Sequence, residues 1–139
     1  MTYTNSLDGI TPDRLHDFFV GWPDPPTPQT HLNLLHGSAH VWLAVDSATG
    51  AVVGFITALS DGVLAAFIPL LEVLPEYQGR GIGTELMWRM IKTLRDLYAL
   101  DLTCDTNLQA FYTRFGMRPI MAMALRRYEQ QSGRNIDTQ

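Results

Sequence analysis

The feature that most constrains this chain is a run of alternating glycines, Gly79, Gly81 and Gly83, placed where a strand hands over to a helix. The apolar run from Val63 to Leu71 reads as strand, and about four turns of amphipathic helix follow the glycines. Glycine lets the main chain approach a ligand closely. The first turn of a helix carries N–H groups that no helical carbonyl can accept. Together these make a backbone-lined site for an anion, phosphate above all.

The remainder of the chain is compatible with one globular domain, residues 1–128, followed by a polar tail, 129–139, expected to be flexible. Of its 139 residues 46% are apolar and 17% charged, enough to build a core. A net charge of −4 argues against nucleic acid as the main partner. Cys104 is the single cysteine, which excludes an intrachain disulfide and a cysteine zinc cluster. It is expected to be a small buried hydrophobe in a reducing, cytoplasmic setting. The longest apolar stretch is about ten residues, short of the roughly 20 a membrane-spanning helix needs. Met1 to Gly9 carries no basic-then-apolar leader pattern. His31, His36 and His40 do not form a metal-ligating spacing, so no metal is expected.

Read in order, Thr2 to Ser6 is a candidate edge strand. Thr11-Pro12-Asp13 is a cap, a first-turn proline and an early acid. A two-turn helix with Leu15, Phe18 and Phe19 on one face is expected after it. Four prolines between Trp22 and Pro28 exclude regular structure there. Thr27-Pro28 repeats the cap signal and predicts a helix over 28–37. Strands are expected at 40–46, 51–59 and 63–73, joined by short turns into an antiparallel meander. Pro69 must occupy a bulge or a position that needs no ladder bond. A helix over 82–98, a parallel strand over 100–104, a short helix over 108–115 and a last strand over 120–128 complete the pattern. On the long helix, Glu85 with Arg89 and Lys92 with Asp96 are spaced to pair. The expected fold class is α/β, a mixed and mostly antiparallel sheet flanked by helices.

Two phosphate motifs fail on spacing. Gly83 is followed by Thr84 with no lysine, so the Walker loop is absent, and no Gly-x-Gly-x-x-Gly frame fits. What fits is Gln78-Gly79-Arg80-Gly81-Ile82-Gly83, preceded by Val73-x-Pro75. This resembles the acetyl-CoA-binding motif of the GCN5-related N-acetyltransferase (GNAT) family. A second segment, Asn107-x-x-Ala110-Phe111-Tyr112-x-x-x-Gly116-Met117, resembles that family's second motif, with Met117 in place of a phenylalanine. The resemblance covers residues 40–128 well and the first forty loosely.

The resemblance implies an acetyl-CoA-dependent N-acyltransferase of the GNAT fold, acting on a primary amine of a small molecule or peptide by direct attack in a ternary complex. Its pyrophosphate site would be Gly79, Arg80, Gly81, Ile82, Gly83 and Thr84, with Gln78 beside them. Leu71 and Val73 would offer main-chain groups to the pantetheine arm, like an added strand. Asn107 would either cap the helix after it or contact the cofactor. Tyr112 would be the general acid near the sulfur. Some family members carry a glutamate base eleven positions before the motif's glutamine; here that position is Phe67. Glu72 is the carboxylate on this strand, and it is the candidate base or amine anchor, with water as the other proton carrier. Trp22, the proline loop and Trp42 are candidates for the acceptor pocket. A monomer or a homodimer fits equally well. Two other classes compete: an acyl-CoA-binding sensor without turnover, and an ATP-using phosphotransferase.

Overall fold

The structure is a computed structural model, and it describes residues 1–134. Six strands form one mixed sheet: β1 (Thr2–Thr4), β2 (His40–Val45), β3 (Val52–Ser60), β4 (Ala65–Ile68), β5 (Leu71–Val73) and β6 (Ala99–Leu102). The order is β1-β2-β3-β4-β6, and β5 pairs with β3. All pairings are antiparallel except β4 with β6. The helices are α1 (Pro28–Gly37), α2 (Ile82–Thr93) and α3 (Gln109–Thr113).

The pleat of β3 assigns the two faces of the sheet. Phe55 turns to one side, where its ring meets His31 of α1 at 4.4 Å and Phe18 at 5.1 Å. Gly54 turns to the other. A Cβ there would lie 3.2 Å from Leu86 and 3.3 Å from Ile82, so glycine lets the first turns of α2 press onto β3. Leu86, Met87 and Met90 of α2 are fully buried against the sheet. This contact seats the N-terminus of α2 beside the end of β5.

Several expectations hold. Thr27 caps α1, its hydroxyl accepting the Thr30 N–H at 3.1 Å, and Pro28 is the first helical residue. The strand after α2 is parallel to β4. Arg89 pairs with Glu85 at 2.8 Å.

Others are corrected. The expected strand over 63–73 is two strands. Three steps of β3, from Ile56 to Leu59, face four steps on the partner, from Leu71 to Phe67. The extra residue makes a bulge around Pro69, which cannot donate to a ladder. The two-turn helix after Thr11 is a single 3-10 turn, Pro12–Arg14. Leu15, Phe18 and Phe19 are buried as expected, but the chain reaches them through left-handed residues, Asp17 (φ 70°) and Phe19 (φ 62°). The long helix stops at Thr93, which leaves Lys92 and Asp96 out of helical register. The last strand, 120–128, is not formed: residues 118–127 carry no regular secondary structure, and Tyr128 opens a 3-10 turn. Tyr128–Gln130 forms a 3-10 turn, and Gln131 Oε1 accepts the Asp24 N–H at 3.1 Å. Residues 135–139 of the expected flexible tail lie outside the described residues.

Candidate active site

The bulge at Pro69 separates two destinies of one strand. β4 stays with β6, while β5 stays with β3. Thr57 donates to Leu70 O at 3.1 Å, and Leu74 donates to Val53 O at 2.8 Å. Ladder bonds to β3 therefore fall on residues 70, 72 and 74. By the alternation of an antiparallel ladder, the backbone groups of Leu71 and Val73 point away from β3, toward the gap that the splay opens. Gln78 reaches into this region, its amide donating to Val73 O at 3.0 Å.

The glycine run lies just beyond. Gly79 (φ 77°) and Gly81 (φ 82°) are left-handed, and a Cβ at either would meet no atom of the described residues within 4 Å. Gly81 is the N-cap residue of α2, and its carbonyl accepts the Glu85 N–H at 3.0 Å. Among the described residues, no protein acceptor takes the N–H groups of Gly79 through Thr84. Six donors at the positive end of a helix dipole, approachable without side-chain obstruction, suit an anion. Arg80 is turned aside: its guanidinium donates to Glu76 O at 3.0 Å and stacks on Tyr77. The cation that sequence reasoning missed is Arg114. It lies over the Phe111 ring and reaches the Thr84 hydroxyl at 3.4 Å.

A cleft of about 730 Å³ occupies the splay. Glu72, Val73, Gln78, Cys104, Tyr112 and Trp22 all line it. Tyr112 is half-buried, and burial, with Cys104 second, pushes its phenol above the ordinary value. The hydroxyl therefore keeps its proton at neutral pH, as a proton donor must. Glu72 is also half-buried. Burial raises its pKa, opposed by the backbone N–H groups of Phe19 and Val20, which donate to its carboxylate at 2.9 and 3.3 Å. The loop carrying Val20 and Trp22 thus hangs on Glu72.

Three candidates are placed differently. Trp42 lies outside the cleft: its indole N–H donates to Thr93 Oγ1 at 3.0 Å, and Arg89 stacks on its ring. Strand alternation did not reveal which side of the sheet it serves. Asn107 caps nothing and is exposed. Cys104 is exposed rather than buried: it lies past the end of β6, whose far edge has no neighbour among the described residues. Phe67, at the family's usual base position, is a partly exposed residue of β4. Arg126, unanticipated, lines the cleft too. Among the described residues no cluster of potential metal ligands occurs, and no helix is long and apolar enough to cross a membrane.

A mixed sheet splayed at a bulge, with unsatisfied N–H groups at the adjoining helix start, defines the acyl-CoA N-acyltransferase class of architecture. The model of the acetyltransferase (GNAT) family matches residues 7–117, so the chain belongs to that family. A Deinococcus radiodurans R1 protein classed among acetyltransferases superposes with a TM-score of 0.94 at 47% identity, over 96% of this chain and 93% of that one. A GNAT-family acetyltransferase of Streptococcus pneumoniae TIGR4 gives 0.71 at 28% identity, over 91% and 97%. Among curated relatives, serotonin N-acetyltransferase 2, chloroplastic, of rice is 32% identical over 91% of this chain and 68% of its own length. GCN5-related N-acetyltransferase 1, chloroplastic, of Arabidopsis thaliana is 30% identical over 80% of this chain. The chain spans 58% of the length of that relative.

Proposed function

We propose that this protein transfers an acetyl group from acetyl-CoA to a primary amine by direct attack in a ternary complex. The observation that carries the reading is the convergence on one splayed cleft of the open edge of β5, the Tyr112 hydroxyl and the Glu72 carboxylate, with the free N–H groups of 79–84 next to it. The pyrophosphate would rest on those N–H groups, with Arg114 adding charge, and the pantetheine arm would run along Leu71 and Val73.

The neutral amine attacks the thioester carbonyl, a C–N bond forms and the C–S bond breaks. Tyr112 supplies the proton that the departing thiolate takes. The proton lost by the amine goes to Glu72 or to water. Val20, Trp22 and Leu108 give the cleft an apolar part, and Glu72, Gln78, Thr103, Asp105 and Arg126 a polar one. An acceptor with an apolar body on the first part and an amine directed at Glu72 fits this lining. One relative is named for serotonin acetylation and another, from Glycine max, for histone acetylation, so aromatic and peptide amines are two of the classes to test.

The experiment is thiol release from acetyl-CoA with arylalkylamines, polyamines and amino-terminal peptides, run beside binding calorimetry for acetyl-CoA and ATP. Turnover with an arylalkylamine is expected. Tight acetyl-CoA binding with no turnover on any amine would make the chain a sensor. Binding of ATP alone would overturn the reading.

A further inference from the structure

Residues 75–81 form the turn that leads to the glycine N–H groups, and they belong to no ladder of the sheet. Their hydrogen bonds are local. The Tyr77 N–H donates to Leu74 O at 2.9 Å, the Gln78 N–H to Pro75 O at 3.3 Å, and the Arg80 guanidinium to Glu76 O at 3.0 Å. Such bonds shape a turn without fixing where it stands against the rest of the protein. One bond does fix it. The Tyr77 hydroxyl donates to Asp46 Oδ2 at 2.6 Å, 31 residues away in sequence. Among the described residues, it is the one hydrogen bond of residues 75–80 that leaves the segment 73–80.

Asp46 is itself held firmly. It follows β2 directly after buried Val45. Its N–H donates to Ala51 O at 2.9 Å and its carbonyl accepts the Gly50 N–H at 2.7 Å, which closes the turn between β2 and β3. Its second carboxylate oxygen, Oδ1, accepts the Ala48 N–H at 2.9 Å. Gly50 O in turn accepts the Arg14 Nε–H at 2.7 Å, tying the turn to the first segment of the chain. The bond from Tyr77, and then that from Ala48, hold the Asp46 carboxyl below the ordinary range. The same bond pushes the Tyr77 phenol up, so the hydroxyl keeps its proton. An ionised acceptor with a neutral donor makes a stronger bond than a neutral pair.

The Tyr77 ring also carries Arg80, whose Cζ lies 4.9 Å from the ring centre. Fixing Tyr77 therefore fixes the residue between Gly79 and Gly81. Glycine has more backbone freedom to lose than any other residue. A turn already held in place before its ligand arrives does not lose that freedom on binding. We infer that Asp46 is a positioning residue for the phosphate end of acetyl-CoA: through the Tyr77 hydroxyl it holds the N–H groups of Gly79 to Thr84 in the arrangement that receives the pyrophosphate. This assignment rests on the proposed acetyl-CoA site. Neither Asp46 nor Tyr77 lines the cleft that holds Glu72 and Tyr112, so their part is confined to the turn.

Binding calorimetry on the full chain separates placement of the turn from stability alone. Tyr77→Phe removes the hydroxyl and keeps the ring under Arg80. It should weaken acetyl-CoA binding about tenfold, and leave binding of S-acetylpantetheine, which lacks the phosphates, within about twofold of the parent. Asp46→Ala should weaken acetyl-CoA binding to a like degree. Adding Tyr77→Phe to it should bring no further loss, as expected of two ends of one bond. Should Asp46→Ala unfold, Tyr77→Phe alone decides. Parent affinity for acetyl-CoA in Tyr77→Phe would overturn the proposal and leave the acetyl-CoA site standing, whatever the melting temperature does. Equal weakening of both ligands would overturn it too, because the loss would then lie outside the phosphate end. So would additive losses in the double variant. A parent that does not bind acetyl-CoA, or binds the two ligands equally, would overturn the phosphate site itself, and the role of Asp46 with it.

Discussion

Glu72 Oε1 accepts the backbone N–H of Phe19 at 2.9 Å, and Phe19 is held at φ 62°. A left-handed non-glycine residue costs about 1–2 kcal/mol, and here a half-buried carboxylate and an aromatic cluster offset it. Phe19 meets Trp22 at 4.9 Å and His31 at 5.0 Å. Glu72 therefore shapes the acceptor wall as well as facing the cleft. Glu72→Gln keeps one acceptor but turns an NH₂ toward a backbone donor. It should lower stability by about 1–3 kcal/mol and also depress kcat/KM. Chemical denaturation beside steady-state kinetics separates the two effects. A kinetic loss with unchanged stability would make Glu72 a base alone. A stability loss without a kinetic one would make it only an anchor.

Asp17 tests the strain from the other side. It is exposed, left-handed at φ 70°, and makes no side-chain hydrogen bond among the described residues. Asp17→Gly relieves the steric cost at the expense of a looser unfolded chain. A net gain of about 0.5–1 kcal/mol is expected in denaturant unfolding.

Tyr112→Phe should leave the fold intact and lower kcat by about 10²-fold, with little change in KM for acetyl-CoA. Burial raises the phenol pKa, so the proton donor survives into alkaline solution. The parent pH–rate profile should fall only above about 10, the ordinary tyrosine value, and that limb should vanish in the variant. An unaltered rate would remove Tyr112 from the chemistry and leave it a packing aromatic.

The glycines differ in what they tolerate. Gly83 is helical, and a Cβ there makes ordinary contacts of 3.7 Å with Phe111 and 3.8 Å with Val73. Gly83→Ala should hold or raise stability by up to about 1 kcal/mol. Gly81 sits at φ 82°, so Gly81→Val strains the turn whatever space surrounds it. It should lower the melting temperature and also abolish acetyl-CoA binding at ligand concentrations that saturate the parent. Retained affinity in Gly81→Val would refute the phosphate assignment.

These outcomes divide along what a sequence can carry. Thr27-Pro28 was legible to the residue, because a cap and a first-turn proline act within one turn of chain. The bulge at Pro69 was legible for the same reason. The segment holding Leu15, Phe18 and Phe19 read as helix because burial at that spacing is the helix signal. Here a left-handed turn produced the same burial. Trp42 was misplaced because alternation assigns a face, not a site. Arg114 and Arg126 were invisible, since their positions depend on how α3 and the segment after it pack against distant elements. Residues 120–128 read as strand because the run from Ile120 to Leu125 is apolar at every position, yet among the described residues no ladder forms on it.

His31 is the remaining test of the core beneath the site. It is 1% exposed, ringed by Phe18, Phe19 and Phe55, and among the described residues neither ring nitrogen has a protein partner. Burial pulls its pKa down to about 4 from 6.5. Between those values the unfolded chain binds a proton that the folded protein refuses. Stability from this group is thus complete above pH 6.5 and declines as the pH falls toward 4. Between pH 7 and 5 the loss should be about 2 kcal/mol, or roughly 5 °C in melting temperature for a chain of this size. His31→Leu, close in volume and without a titrating group, should flatten that part of the curve in calorimetry across the same pH range. An equal drop in the parent and the variant would assign the acid sensitivity to another group.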